Sequence, residues 1–147
     1  MPKKLAEITI QGYDDVIRNL KQLDHKIQLK VMRSALRAGA KVIQRNARQL
    51  VPTDTGNMKK NIKLKSLKRS KKQMGVNIVT GTRESMGIPQ KGKGYYPFSV
   101  EYGTSEMKAQ PFMRPALEGN RVAATKAIGD TLEKGIKKVV AKMKKVK

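Results

Sequence analysis

The chain has 147 residues, the size of one ordinary domain, and contains neither cysteine nor tryptophan. Disulfides, thiolate nucleophiles and cysteine-held zinc are thereby excluded, and with two Phe and four Tyr the core must be aliphatic. Lys and Arg number 33 against 11 Asp and Glu, a formal net charge of +22 that opposes compaction and attracts polyanions or acidic partners.

Charge alone does not separate nucleic-acid contact from a basic domain lying beside an acidic neighbour. No run approaches the ~20 apolar residues of a membrane span. Met1–Glu7 lacks the apolar centre of a signal peptide, so synthesis and function without export are expected.

From the N-terminus, Ile8 and Ile10 alternate with Glu7, Thr9 and Gln11, predicting a short strand over Leu5–Gln11 that Gly12 ends. Asp14 or Asp15 then suits the N-cap of a short helix whose inner face is Val16, Ile17, Leu20 and Leu23. Capping is preferred to catalysis for these carboxylates, since no partner group lies near them in sequence.

The stretch His25–Val51 reads as one long helix, stopped by Pro52. Ile27, Val31, Met32, Ala35, Leu36, Ala38, Gly39, Val42, Ile43, Ala47 and Leu50 share one broad face. Lys26, Lys30, Arg33, Arg37, Lys41 and Arg48 share the opposite one, a candidate basic interaction face. Asn46 points into the apolar side and needs a partner. A neighbouring strand is expected to supply it, with a role in register as the alternative.

After the turn Pro52–Gly56, Met58, Ile62 and Leu64 alternate with Lys59, Asn61, Lys63 and Lys65, predicting a strand with one basic face. A tip at Lys68, Arg69, Lys71 and Lys72 leads to a second alternating run, Met74–Thr80, completing an antiparallel hairpin. Thr82–Gly94 reads as a long loop carrying Arg83, Lys91 and Lys93. Gly87–Lys93 has the spacing of a phosphate-cradling loop. Gly94 stands where a hydroxyl would hold magnesium, however, and Tyr95-Tyr96-Pro97 follows where a helix should open, so nucleotide binding is not expected.

Phe98, Val100 and Tyr102 alternate as a further strand ending at Gly103. A loop over Thr104–Arg114 follows, and Pro115 suits the first position of a last helix. Its inner stripe is Leu117, Ala124, Ile128, Thr131, Leu132, Ile136, Val139 and Met143. Gly119, Gly129 and Gly135 weaken that helix by ~1 kcal/mol each relative to Ala, so tertiary packing must hold it.

The order of elements predicts an α+β fold: two long helices packed on a small antiparallel sheet, with an extra short N-terminal helix and long loops. A single domain over residues 1–147 is expected, with 1–4 and 142–147 frayed. Uncovered strand edges invite pairing with other chains, which predicts a multimer. One histidine, His25, and few carboxylates point to no catalytic centre, no metal and no cofactor.

Three segments in order carry a resemblance. They are Val51-Pro52-Thr53-Asp54-Thr55-Gly56-Asn57-Met58-Lys59-Lys60-Asn61-Ile62, Phe98-Ser99-Val100-Glu101-Tyr102-Gly103-Thr104, and Ala109-Gln110-Pro111-Phe112-Met113-Arg114-Pro115-Ala116-Leu117. With the amphipathic helix before them, they resemble the HK97 gp10-like family of tailed-phage proteins. The resemblance implies a structural virion protein of a long-tailed phage or prophage, with no catalytic centre, at the head–tail junction as a neck or tail-completion component. It implies partners in further copies of itself, expected as a hexameric ring, and in connector, tail-tube and terminator proteins, with possible DNA contact. The expected place is the virion, and the host cytoplasm during assembly.

The same residues have plain structural readings. Pro52 stops a helix, Asp54 and Thr55 bond their own backbone, and Gly56 takes positive φ. Gly103-Thr104 ends a strand, Pro111-Phe112 plugs the loop, and Pro115 opens a helix. Glu101, a lone acid in a basic chain, is expected to pair with a basic residue within or between subunits. The alternative function is a sequence-independent nucleic-acid binder using the basic stripe, although four Tyr and no Trp give few stacking platforms.

Overall fold

A computed structural model describes residues 14–52, 56–67, 74–82, 84–86 and 96–145. The expected strand Leu5–Gln11, the hairpin tip with Lys68, Arg69, Lys71 and Lys72, and the loop cations Arg83, Lys91 and Lys93 lie outside the described residues, as do Asp54 and Thr55. The fold is α+β and mostly helical: six α-helices and one two-stranded antiparallel sheet among the described residues. The chain divides into two compact units, one of residues 1–39 with 121–147, the other of residues 40–120.

The first unit contains α1 (Asp14–Lys21), the first half of α2 (His25–Leu50) and α6 (Arg121–Lys145). Asp14 and Asp15 lie in the first turn of α1, where carboxylates suit the positive end of the helix dipole. The cap that is seen belongs to α2: the Asp24 Oδ1 accepts the Lys26 N–H at 3.0 Å. His25 is exposed in the first turn of that helix.

Leu20, Val31, Ala35, Leu132 and Ile136 form the buried cluster, with Val16, Leu23, Ile27, Met32, Ile128 and Val139 packed around it. The positions on α1, α2 and α6 fit a 3.6-residue period, and Leu23 joins them from the turn between α1 and α2. The glycines explain how closely α2 and α6 approach. A Cβ on Gly39 would lie 2.5 Å from Ile128 Cγ1 and 3.0 Å from the Ala124 carbonyl oxygen. One on Gly135 would lie 2.8 Å from Val31 Cγ1. Pairing Gly39 with Ile128 and Val31 with Gly135 makes the two helices antiparallel. Gly39 and Gly135 are therefore sites of contact, where lost propensity is exchanged for packing, whereas a Cβ on Gly119 would meet nothing within 4 Å.

The second unit contains the rest of α2, α3 (Asn57–Asn61), β1 (Lys63–Ser66), β2 (Val76–Val79), a 3-10 turn (Glu84–Met86), α4 (Tyr96–Tyr102) and α5 (Met113–Gly119). Its buried apolar residues include Ile43, Ala47, Val51, Met58, Ile62, Met86, Val100, Phe112 and Ala116. Helix α2 closes where expected, with the Val51 N–H on the Ala47 carbonyl at 3.0 Å and Pro52 unable to donate. The hairpin is antiparallel, pairing Lys63 with Val79, Leu64 with Ile78, Lys65 with Asn77 and Ser66 with Val76.

Three expected elements differ. The predicted strand Phe98–Tyr102 is the helix α4. Five residues of apolar alternation fit either period, and Pro97, lacking a donor, suits a first helical turn. In the helix Val100 is buried, while Phe98 and Tyr102, four residues apart, are exposed on a common side. Residues Asn57–Asn61, expected at the start of a strand, are α3, because Met58 and Ile62 are also four apart, and the strand begins only at Lys63. The last helix is two. Helix α5 starts at Met113, so Pro115 occupies its first turn rather than its first position. Asn120 then ends α5, its side chain donating to the Ala116 carbonyl at 2.8 Å and its N–H to Leu117 at 3.4 Å.

Candidate assembly surface

The centre of the second unit's last segment is Glu101. Its Oε2 accepts the backbone N–H groups of Phe112 at 2.8 Å and Met113 at 3.0 Å, and its Oε1 accepts that of Arg114 at 3.0 Å. The expected basic side-chain partner is not what the carboxylate takes. It satisfies three donors at the opening of α5, where Phe112, the N-cap residue, makes no side-chain cap of its own. A carboxylate accepting backbone N–H groups is a strong, charge-assisted arrangement.

The intervening loop is locked at several points. Gly103 has φ 76°, which L side chains avoid, and a Cβ there would lie 2.7 Å from the Ala109 nitrogen. The Thr104 N–H donates to the Met107 carbonyl at 2.8 Å, and its Oγ1 accepts from Glu106 at 3.2 Å and Met107 at 3.0 Å. Gln110 N–H donates to the Val100 carbonyl at 2.8 Å. Phe112 is 1% exposed, so the loop is pinned by its own buried ring. Pro111 and Pro115 are exposed beside it.

This clamp leaves two aromatic rings in water. Phe98 is 63% and Tyr102 57% exposed, in a chain with only six aromatic residues. Their centroids are 4.6 Å apart, and the Arg114 guanidinium lies 5.7 Å from the Tyr102 ring centroid. Two exposed rings in tilted contact, at an interplanar angle of 45°, beside an arginine have the composition of binding hot spots at protein interfaces.

A second group of polar contacts ties α2, α3 and the 3-10 turn. Gln44 Nε2 at 2.7 Å and an Arg48 guanidinium nitrogen at 2.8 Å both donate to the Ile62 carbonyl. Arg48 thus sits half-buried at the end of α3, where a cation suits the helix dipole, and its Nε is buried without a partner. Asn61, expected on an exposed basic face, is 7% exposed and donates to the carbonyls of Asn57 at 2.8 Å and Ser85 at 3.1 Å. Gly56 opens α3 with φ 76°, as the turn reading required. Asn46 bonds within its own helix, to the Val42 carbonyl at 3.0 Å, rather than to a strand.

Of the basic stripe, Lys26, Lys30, Arg33 and Lys41 are exposed. Arg37 is half-buried and engaged, and Arg48 is turned inward. Sequence reasoning did not find Phe98, Tyr102 and Arg114 as one surface. The only signal available was the four-residue spacing of the two rings, which a strand reading hides. No cluster of His, Asp and Glu suited to a metal occurs among the described residues, and none of their helices is long and apolar enough to cross a membrane.

The polar side chains of this unit hold backbone groups in place. A family model described as "Bacteriophage HK97-gp10, putative tail-component" matches residues 14–103. That span exceeds half of the 147 residues, and the chain belongs to the HK97 gp10-like family of phage tail components, a structural rather than enzymatic class. The match takes in the Pro52–Gly56 turn and the Glu101–Gly103 segment, and ends before the Pro111–Pro115 piece. Searches of curated proteins and of solved structures gave no significant match.

Proposed function

We propose that this tail component forms a ring at the head–tail junction of a long-tailed phage or prophage, joining the connector to the tail tube as a neck or tail-completion protein. Membership of the tail-component family over residues 14–103 carries the reading. The geometry that supports it is the exposed surface of Phe98, Tyr102 and Arg114, next to which Glu101 binds the backbone of Arg114. Its occupant in the ring is the next copy of the chain: a head-to-tail contact repeated around an axis closes a ring without chemistry. Rings are expected by negative-stain microscopy, with the protein present in purified virions. Phage lacking the gene are expected to accumulate unjoined heads and tails. Absence from virions, or joined particles without the gene, would sink the proposal.

Phe98→Ala with Tyr102→Ala sharpens it. Both rings are exposed, so the monomer is expected to keep its helical content while rings are lost.

The net charge and the exposed Lys26, Lys30, Arg33 and Lys41 favour a second reading, sequence-independent nucleic-acid binding. It predicts tight gel shifts by isolated protomers that weaken steeply between two salt concentrations. Binding that is weak at both concentrations leaves the ring reading alone.

A further inference from the structure

Within the first unit, α2 and α6 leave a groove of about 780 Å³. Its floor is apolar, from Ile27 and Val31 on α2 with Val139 and Met143 on α6. Its rim carries Lys30 on α2 and Lys134, Lys138 and Lys142 on α6, the last three at four-residue spacing along one side. All four lysines are exposed, and none forms an ion pair among the described residues. Among the acids on α6, Glu133 is taken by Lys137 at 2.7 Å, and Asp130 has an interaction of its own. Met143 is 49% exposed at the groove's end.

We propose that this lysine-rimmed groove is a docking site for an acidic amphipathic helix of another protein. Charge complementarity selects the occupant. A helix with a leucine-like stripe would bury the apolar floor, while glutamates flanking the stripe would meet the four ammonium groups. A second copy of the same groove is disfavoured, since each would bring the same uncompensated lysines. A nucleic acid would satisfy the rim but set phosphate and sugar against the apolar floor, leaving its water-facing part, Met143 above all, without apolar cover. The site is independent of the aromatic surface in the other unit and of where the protein sits along the tail.

The test uses the full chain and three synthetic helices, followed by fluorescence anisotropy at about 0.15 M salt, where long-range charge effects are screened beyond ~8 Å. One carries Leu along one face and Glu on its flanks, a second has Lys in place of Glu, and a third has Ser in place of Leu. Only the first is expected to bind. Its affinity is expected to fall about tenfold or more in Lys134→Glu/Lys138→Glu, and again in Met143→Glu. These positions are exposed, so circular dichroism is expected to match the parent chain. Equal binding of the serine peptide, or of a DNA duplex that competes the first peptide away, would reduce the groove to a charged patch and overturn the proposal. So would affinity unchanged by the charge reversals, or no binding of the first peptide at all.

Discussion

The two units are stabilised in different ways. The first is a set of helices whose apolar residues recur with the helical period and meet over glycines. The second has only short helices beside the end of α2, and its loops are tied by single polar side chains to backbone groups far along the chain. Glu101 reaches residues 112–114, Asn61 reaches Ser85, and Gln44 and Arg48 reach Ile62. Periodic packing spreads its free energy over many weak contacts, so it tolerates change. A few non-local hydrogen bonds concentrate it, so one substitution can release a whole loop. The difference explains how a unit with few long elements can keep its loops in place.

The largest effect is expected at the pin of that loop. Phe112→Ala removes a ring that is 1% exposed and should cost about 3–5 kcal/mol, read by urea denaturation. Glu101→Ala comes next, leaving three backbone donors without their acceptor, for a loss of about 1.5–3 kcal/mol. Hydrogen exchange at Phe112, Met113 and Arg114 should accelerate together, and Glu101→Gln, which keeps one acceptor oxygen, should recover part of the protection. If those amides exchange as before, the clamp is not what orders the loop.

In the helical unit the expected effects are smaller, and their sign is set by packing. Gly39→Ala gains helix propensity of ~1 kcal/mol, but its methyl meets Ile128 and the Ala124 carbonyl, and overpacking of about 1–3 kcal/mol should prevail. Gly119→Ala, in the other unit, has nothing within 4 Å and should raise stability by up to ~1 kcal/mol. Thermal melts of the pair check this. A stabilising Gly39→Ala would mean that α2 and α6 are not held so close.

The smallest effect concerns Glu133. Its hydrogen bond to Lys137 and that residue's charge hold its carboxyl below the ordinary value of 4.5. A depressed acid contributes stability above its unfolded value and loses it as pH falls through the folded one. Lys137→Ala should return the Glu133 titration, followed by NMR, to the ordinary range. The pair is exposed, so salt should weaken it and overall stability should barely move.

The amino-acid sequence by itself determined the long helices, the stop at Pro52, the antiparallel hairpin and the glycine turn at Gly56. Each follows from a local rule: hydrophobic period, a missing donor, or a backbone angle that only glycine takes easily. The ordered motifs also pointed to the family. Tertiary structure alone decided that Phe98–Tyr102 is a helix, that Asn61 is buried, that Arg48 turns inward and that Glu101 caps a helix it does not belong to. Short apolar runs fit two periods equally well, and a polar side chain bonds whichever backbone group lacks a partner nearby. Both are settled by neighbours distant in sequence, which no local pattern encodes.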